Sequence, residues 1–204
     1  MTQSSEIEAD RNGADTIAVV GDSLVLSGDW SEWLPGHTVL NFGVAGDTSL
    51  DVLARLGEVV EALPDEILLL IGTNDLVTRR SVEHLVRNVE SILVELRRQL
   101  PGARLLVHSI LPRGKEFAHS IQDANIHIRQ FCATVRAQYL DLWPAMALEN
   151  GQLNPEFSSD SLHLNAAGYD AWLSELLPGL ERLRDSPPMT SPTSIIARDE
   201  FNRP

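Results

Sequence analysis

Short apolar runs alternate with longer amphipathic stretches along most of this chain. Thr16–Val20 (TIAVV), Thr38–Phe42 (TVLNF), Glu66–Ile71 (EILLLI) and Arg104–Ile110 (RLLVHSI) are compact and apolar, with a weaker run at Tyr139–Leu142 (YLDL). Continuous runs of this length suit strands buried on both faces, as in a parallel sheet. Between them the apolar positions fall at helical spacing. Thr48 and Asp51 have capping-box spacing ahead of Leu50, Leu53 and Leu56, and Pro64 ends that stretch. Val82, Leu85, Val86, Val89, Ile92, Leu93, Leu96 and Leu100 form one apolar stripe that Pro101–Gly102 stops. Ile121, Ala124, Ile128, Phe131, Cys132 and Val135 form another. Asn165 is placed to cap a last helix bearing Trp172, Leu173, Leu176, Leu177 and Leu180.

Strands followed by helices in this order predict an α/β fold with helices on both faces of the sheet. Right-handed crossovers make that sheet mostly parallel, and ligands then bind at the carboxyl ends of its strands. The core predicted this way is residues 15–184. Residues 1–14 are polar and aperiodic and are expected to be a flexible lead. Residues 185–204 (DSPPMTSPTSIIARDEFNRP) hold four prolines without a usable period and are expected to be a tail outside the core.

Charge and cysteine content remove several function classes. The formal net charge is -13, which disfavours nucleic acid and anionic membrane surfaces as partners. No run is long enough to span a bilayer. The first residues lack the basic and apolar regions of a signal peptide, so a cytoplasmic location is expected. Cys132 is the single cysteine, so no internal disulfide forms, and its place in a helical apolar pattern reads as core.

The candidate chemistry follows the strands. Gly21-Asp22-Ser23-Leu24 comes directly after the first, where a serine hydroxyl can attack a bound carbonyl, although such a sequence is also an ordinary turn. A hydroxyl needs a base. Asp160-Ser161-Leu162-His163 precedes the last helix, and its three-residue offset lets the carboxylate orient the imidazole. None of His37, His84, His108, His119 and His127 has an aspartate so placed. His108, in a strand, reads as a satisfied core residue. Asn41-Phe-Gly43-Val-Ala-Gly46-Asp47-Thr48 and Gly72-Thr73-Asn74-Asp75 follow the second and third strands. Gly46 and Asn74 can offer N–H donors to an oxyanion, or can belong to a capping loop and a turn. The α/β-hydrolase elbow, the P-loop, the dinucleotide fingerprint and the common zinc motifs are absent from the sequence.

In order the blocks read GDSL, GxxGxT, GTND and DxxH, and from about Thr16 to Tyr169 they resemble the SGNH, or GDSL, hydrolases. The resemblance implies a flavodoxin-like three-layer α/β/α sandwich with about five parallel strands. It implies Ser23 as nucleophile, His163 as base, Asp160 as its orienter, and an oxyanion hole of Ser23 N–H, Gly46 N–H and Asn74. It implies no metal and no organic cofactor. Val44–Thr48, Leu111-Pro112-Arg113-Gly114 and His163–Tyr169 look like the compact branch that holds platelet-activating-factor acetylhydrolase catalytic subunits and bacterial carbohydrate acetylesterases. Members of that branch act on short acyl esters of small molecules and several form dimers, so a homodimer is one assembly the resemblance allows.

The activity expected is therefore serine esterase action on short-acyl, above all acetyl, esters. A thioesterase or lysophospholipase of the same fold is the alternative within enzymes. A silent carbohydrate- or protein-binding module is the alternative outside them, with no chemical need for all five site residues. Trp30 and Trp33, soon after Ser23, and Trp143 are candidates to line an acyl or sugar pocket, against the commoner packing role of tryptophan. Arg113 is a candidate to meet a substrate carboxylate or phosphate, against a surface ion pair.

Overall fold

The computed structural model of the protein describes residues 15–185. The expectations for residues 1–14 and for 186–204 lie outside the described residues. Asp185, assigned to the tail, is the last residue of a helix instead.

Five strands form one sheet: β1 (Thr16–Gly21), β2 (Thr38–Gly43), β3 (Glu66–Leu70), β4 (Arg104–His108) and β5 (Gln138–Leu140). Their order is β2-β1-β3-β4-β5 and every neighbouring pair is parallel. All five match the apolar runs of the sequence to within a few residues. The helices are α1 (Ser23–Leu26), α2 (Trp30–Trp33), α3 (Ser49–Ala54), α4 (Leu56–Glu61), α5 (Thr73–Val77), α6 (Val82–Gln99), α7 (Ala118–Cys132), α8 (Trp143–Met146) and α9 (Ala166–Asp185).

The central strands β1, β3 and β4 are apolar on both faces because both are covered, while edge strand β2 leaves Thr38 and Asn41 exposed. Ala18, Val20, Ile67, Leu69, Leu105 and Val107 enter one core with α3, α4, α6 and α7. Their neighbours Ile17, Val19, Leu68, Leu70 and Leu106 enter the other with α1, α8 and α9. This alternation gives the three layers. After β2 the chain crosses back over β1 to build β3, β4 and β5 on the other side. The carboxyl ends of β1 and β3 therefore flank the switch point where ligands bind in such sheets.

Two helices differ from their expected faces. The stretch after Asp47 breaks at Arg55 into α3 and α4, and its buried residues are Val52, Leu56 and Val59. Leu50 is exposed and Leu53 half-buried, because the stripe runs at i, i+4 and i+7 from Val52. The capping box is present: Asp51 accepts from Thr48 N–H at 2.9 Å and from its hydroxyl at 2.6 Å. In α9, Leu177 faces solvent while Trp172, Leu176, Leu180 and Leu183 are buried, again at steps of four and three. Cys132 is buried and burial pushes its thiol up to about 12, so it is inert core. His108 is buried too. Its Nδ1 lies 3.2 Å from the Leu69 carbonyl, which only accepts, so Nδ1 carries the proton.

One charged pair locks α9 to the sheet. Glu66 opens β3 fully buried, and Arg184 meets both its oxygens, Nε to Oε1 at 2.8 Å and Nη2 to Oε2 at 2.9 Å. A carboxylate at that depth is tolerable only with such a two-pronged partner.

Candidate active site

Strand β1 ends in Gly21, and the turn that follows puts Ser23 at the start of α1. Asp22 caps that helix, accepting from Leu24 N–H at 2.9 Å. The sequence gives Gly21 a turn role, but its φ is not positive. A Cβ there would collide with the Leu70 carbonyl of β3 and the Val25 side chain, so close packing requires the glycine.

The loop before α9 brings His163 to Ser23 across 140 residues. His163 Nε2 lies 3.3 Å from Ser23 Oγ, and its Nδ1 lies 2.8 Å from Asp160 Oδ2. The carboxylate accepts only, so Nδ1 carries the proton and Nε2 is left free to take one from Ser23. The hydroxyl distance is long, as is usual without substrate. Asp160 Oδ1 accepts three further bonds, from His163 N–H at 2.7 Å, Leu162 N–H at 2.9 Å and the Ser158 hydroxyl at 3.0 Å. The bond to the His163 side chain and then that to its N–H hold this carboxyl well below the usual carboxylate range, so it stays ionised. Ser161 bends the loop with φ 60, the left-handed conformation that lets one aspartate reach both following N–H groups.

The other blocks supply donors. Gly46 has φ 85, where a side chain is strained, although open space surrounds its Cβ position. Among the described residues the N–H groups of Ser23 and Gly46 have no protein acceptor. Unpaired donors of this kind suit a charge that appears only during reaction. Asn74 Nδ2 donates to the Asp47 carbonyl at 2.9 Å, which ties its amide to the Gly46 loop and leaves a second amide hydrogen.

Several supporting residues were not singled out in the sequence. The buried Asp75 carboxylate accepts from Ser49 N–H at 2.8 Å and from its hydroxyl at 2.6 Å, and Asn88 donates to the same hydroxyl at 2.9 Å. This network holds the start of α3 against α5, and so the Gly46 loop against Asn74. Arg55 pairs with Asp47 at 2.7 Å and donates to the Gly21 and Phe42 carbonyls. Tyr169 donates to the Leu24 carbonyl at 2.8 Å, joining α9 to α1. Asp75, Asp47 and Tyr169 lie inside quoted blocks, but nothing in the sequence shows which partners they hold. The others act through partners far along the chain.

The three candidate tryptophans take different places. Trp30 is 2% exposed, donates to the Val25 carbonyl, and packs edge-on against Trp33 and Trp172. Packed on Trp172 of α9, Trp30 is core, against the pocket role considered for it. Trp33 is half-buried, stacked obliquely on Tyr169. Trp143 borders a pocket of about 250 Å³ with Tyr139 and Asp141, away from Ser23, Asp160 and His163. Arg113 lies near the site, and among the described residues it lacks the ion pair anticipated for it: Nη1 is 3.3 Å from Thr73 Oγ1. Among the described residues no three or more His, Cys, Asp or Glu side chains cluster to hold a metal, and no helix is long and apolar enough to cross a membrane.

Asp22 makes an electrostatic signature. It is fully buried, its Oδ2 has no hydrogen-bond partner, and burial, with Asp47 adding to it, pushes its carboxyl up to about 6. The folded state thus holds a proton that the unfolded chain releases near its ordinary value of 3.8. Stability from this group is complete below that value and is lost as pH rises through about 6. Buried His108, held down to about 4 by burial, acts oppositely, since the unfolded chain binds its proton first as pH falls below 6.5. Comparing Asp22→Asn with the parent cancels the histidine. The variant should be more stable at pH 8, by on the order of 3 kcal/mol, with the gap narrowing as pH falls below about 6 and closed below 3.8. A gap independent of pH would contradict the burial account of Asp22.

A five-stranded parallel sheet carrying a serine–histidine–aspartate chain and free N–H donors at its switch point defines the class as hydrolase. The chain belongs to the GDSL-like lipase/acylhydrolase family, whose model matches residues 19–171. The alpha2 subunit of platelet-activating factor acetylhydrolase IB from Rattus norvegicus is 27% identical over 190 residues, 88% of this chain and 82% of that protein. A solved Streptococcus pneumonia protein named for platelet activating factor is 26% identical with a TM-score of 0.73, covering 86% of this chain and 88% of that one. An acetylxylan esterase from Geobacillus stearothermophilus shares the fold at 16% identity and a TM-score of 0.69, covering 81% and 94%. The chain is an acylhydrolase that acts on esters.

Proposed function

We propose that the protein is a serine esterase for short-acyl, chiefly acetyl, esters, with Ser23 as nucleophile. The hydrogen-bonded line from Ser23 Oγ through His163 to Asp160 carries this reading. His163 Nε2 takes the hydroxyl proton as Ser23 attacks the carbonyl, and Asp160 stabilises the imidazolium that forms. The oxyanion meets Ser23 N–H, Gly46 N–H and the free amide hydrogen of Asn74. His163 then protonates the departing alcohol, and water activated by the same nitrogen releases the acid from the acyl-enzyme. The named relatives support acetyl as the acyl group, and a homodimer is one assembly their branch allows.

Asn74→Ala should lower kcat by about 10²–10³-fold with a smaller change in KM, as for a donor used only in the transition state. Steady-state kinetics on p-nitrophenyl acetate check this, and an unchanged kcat would remove Asn74 from the oxyanion site. Acyl preference is tested with p-nitrophenyl acetate, butyrate and octanoate, Ser23→Ala being the control. The expected order is acetate first and octanoate last. An octanoate preference would favour the thioesterase or lysophospholipase reading.

A further inference from the structure

A cleft of about 470 Å³ opens beside Asp160 and Ser161, lined also by Arg113, Lys115, Asn150 and Gln152. Two cations meet here in a chain of net charge -13, and Lys115 is its single lysine. Arg113 is the better placed. Its Nη1 touches Thr73, next to Asn74, only through weak bonds of 3.3 Å to the hydroxyl and 3.4 Å to the carbonyl. Its guanidinium lies 5.1 Å from the centre of the Phe117 ring. Its Nε is buried without a partner. Among the described residues neither Arg113 nor Lys115 forms an ion pair, although Glu116 borders the same cleft. Asp160, Asp22 and Glu116 act on Arg113 through space, but among the described residues none of them makes a contact ion pair with it.

A half-buried guanidinium held flat by a ring, with its hydrogen-bonding edge unfilled, matches an oxyacid group in shape and sign. A cleft of charged and amide side chains suits the polar half of an ester, not a short acyl chain. We infer that this cleft binds the alcohol half of the ester and that Arg113, assisted by Lys115, recognises a carboxylate or phosphate on it. The inference rests on the esterase reading above. It makes the enzyme selective for acylated hydroxy acids or hydroxy phosphates over neutral acylated alcohols. The overall charge of the chain works against such substrates, so any preference for them must come from a local site.

The test uses acetyl esters of three related phenols with the full chain: 4-acetoxybenzoate, 4-acetoxyphenyl phosphate and neutral 4-acetoxybenzamide. The wild type should show a higher kcat/KM for at least one anionic ester than for the amide, by about tenfold or more, carried mainly in KM and reduced by salt. The arm with the larger ratio tells carboxylate from phosphate. In Arg113→Gln that ratio should fall to near one, and in Lys115→Gln it should fall by less. Turnover of the benzamide ester at a rate equal to or above both anionic esters would overturn the anion site while leaving the esterase standing. If folded protein turned over none of the three, the esterase reading would fail separately. Calorimetry with 4-hydroxybenzoate and phenyl phosphate against 4-hydroxybenzamide then decides the site. Binding of an anion that is lost in Arg113→Gln supports it, and binding of neither anion overturns it.

Discussion

Purified Ser23→Ala should hydrolyse p-nitrophenyl acetate at least about 10⁴-fold more slowly than the parent, with an unchanged melting temperature. His163→Ala should lose about as much, and the double variant hardly more, because the two side chains act as one unit. The hydroxyl is half-buried and, among the described residues, its only side-chain partner is His163, so removing it costs the fold little. Additive losses in the double variant would mean that the 3.3 Å contact is not the one used in catalysis.

Arg184→Met should be the most damaging single change for stability. It leaves the fully buried Glu66 carboxylate at the head of β3 without its two-pronged partner. Removing one member of such a pair costs about 3–5 kcal/mol, and on a domain of this size that lowers the melting temperature by about 10 °C. Replacing Glu66 with Met as well should restore most of the loss, because the charge goes with its partner. Thermal unfolding of the three proteins checks this. An Arg184→Met variant that melts with the parent would show that the pair does not hold α9 to the sheet.

The sheet was legible because its strands are buried on both faces: TIAVV and EILLLI cannot be solvent-facing in any orientation. The end of α6 was legible from Pro101–Gly102, and the start of α9 from Asn165, whose Oδ1 does accept from Gly168 N–H at 3.0 Å. The short helices α1, α2, α5 and α8 carry too few residues to show a period. Ser23 stood out because it follows a strand, and Asp160 and His163 because they share a loop just before the last helix, each with a distinctive chemical task. The residues that hold them did not. Ser158 reads as one serine among several in a loop, and Tyr169 as a helical aromatic, until the fold brings its hydroxyl to Leu24, 145 residues earlier. Trp30 misled for the same reason, since position in the chain gives distance from Ser23 but not direction.

The central claim is that His163 activates Ser23 for covalent attack. Reaction with a fluorophosphonate, followed by peptide mass mapping, tests it most directly, because the reagent forms a stable adduct only on an activated nucleophile. One phosphonyl group on the peptide that holds Ser23, formed by the wild type and lost from folded His163→Ala, is the predicted result. An adduct on another serine, or equal labelling of Ser23 without His163, would contradict it.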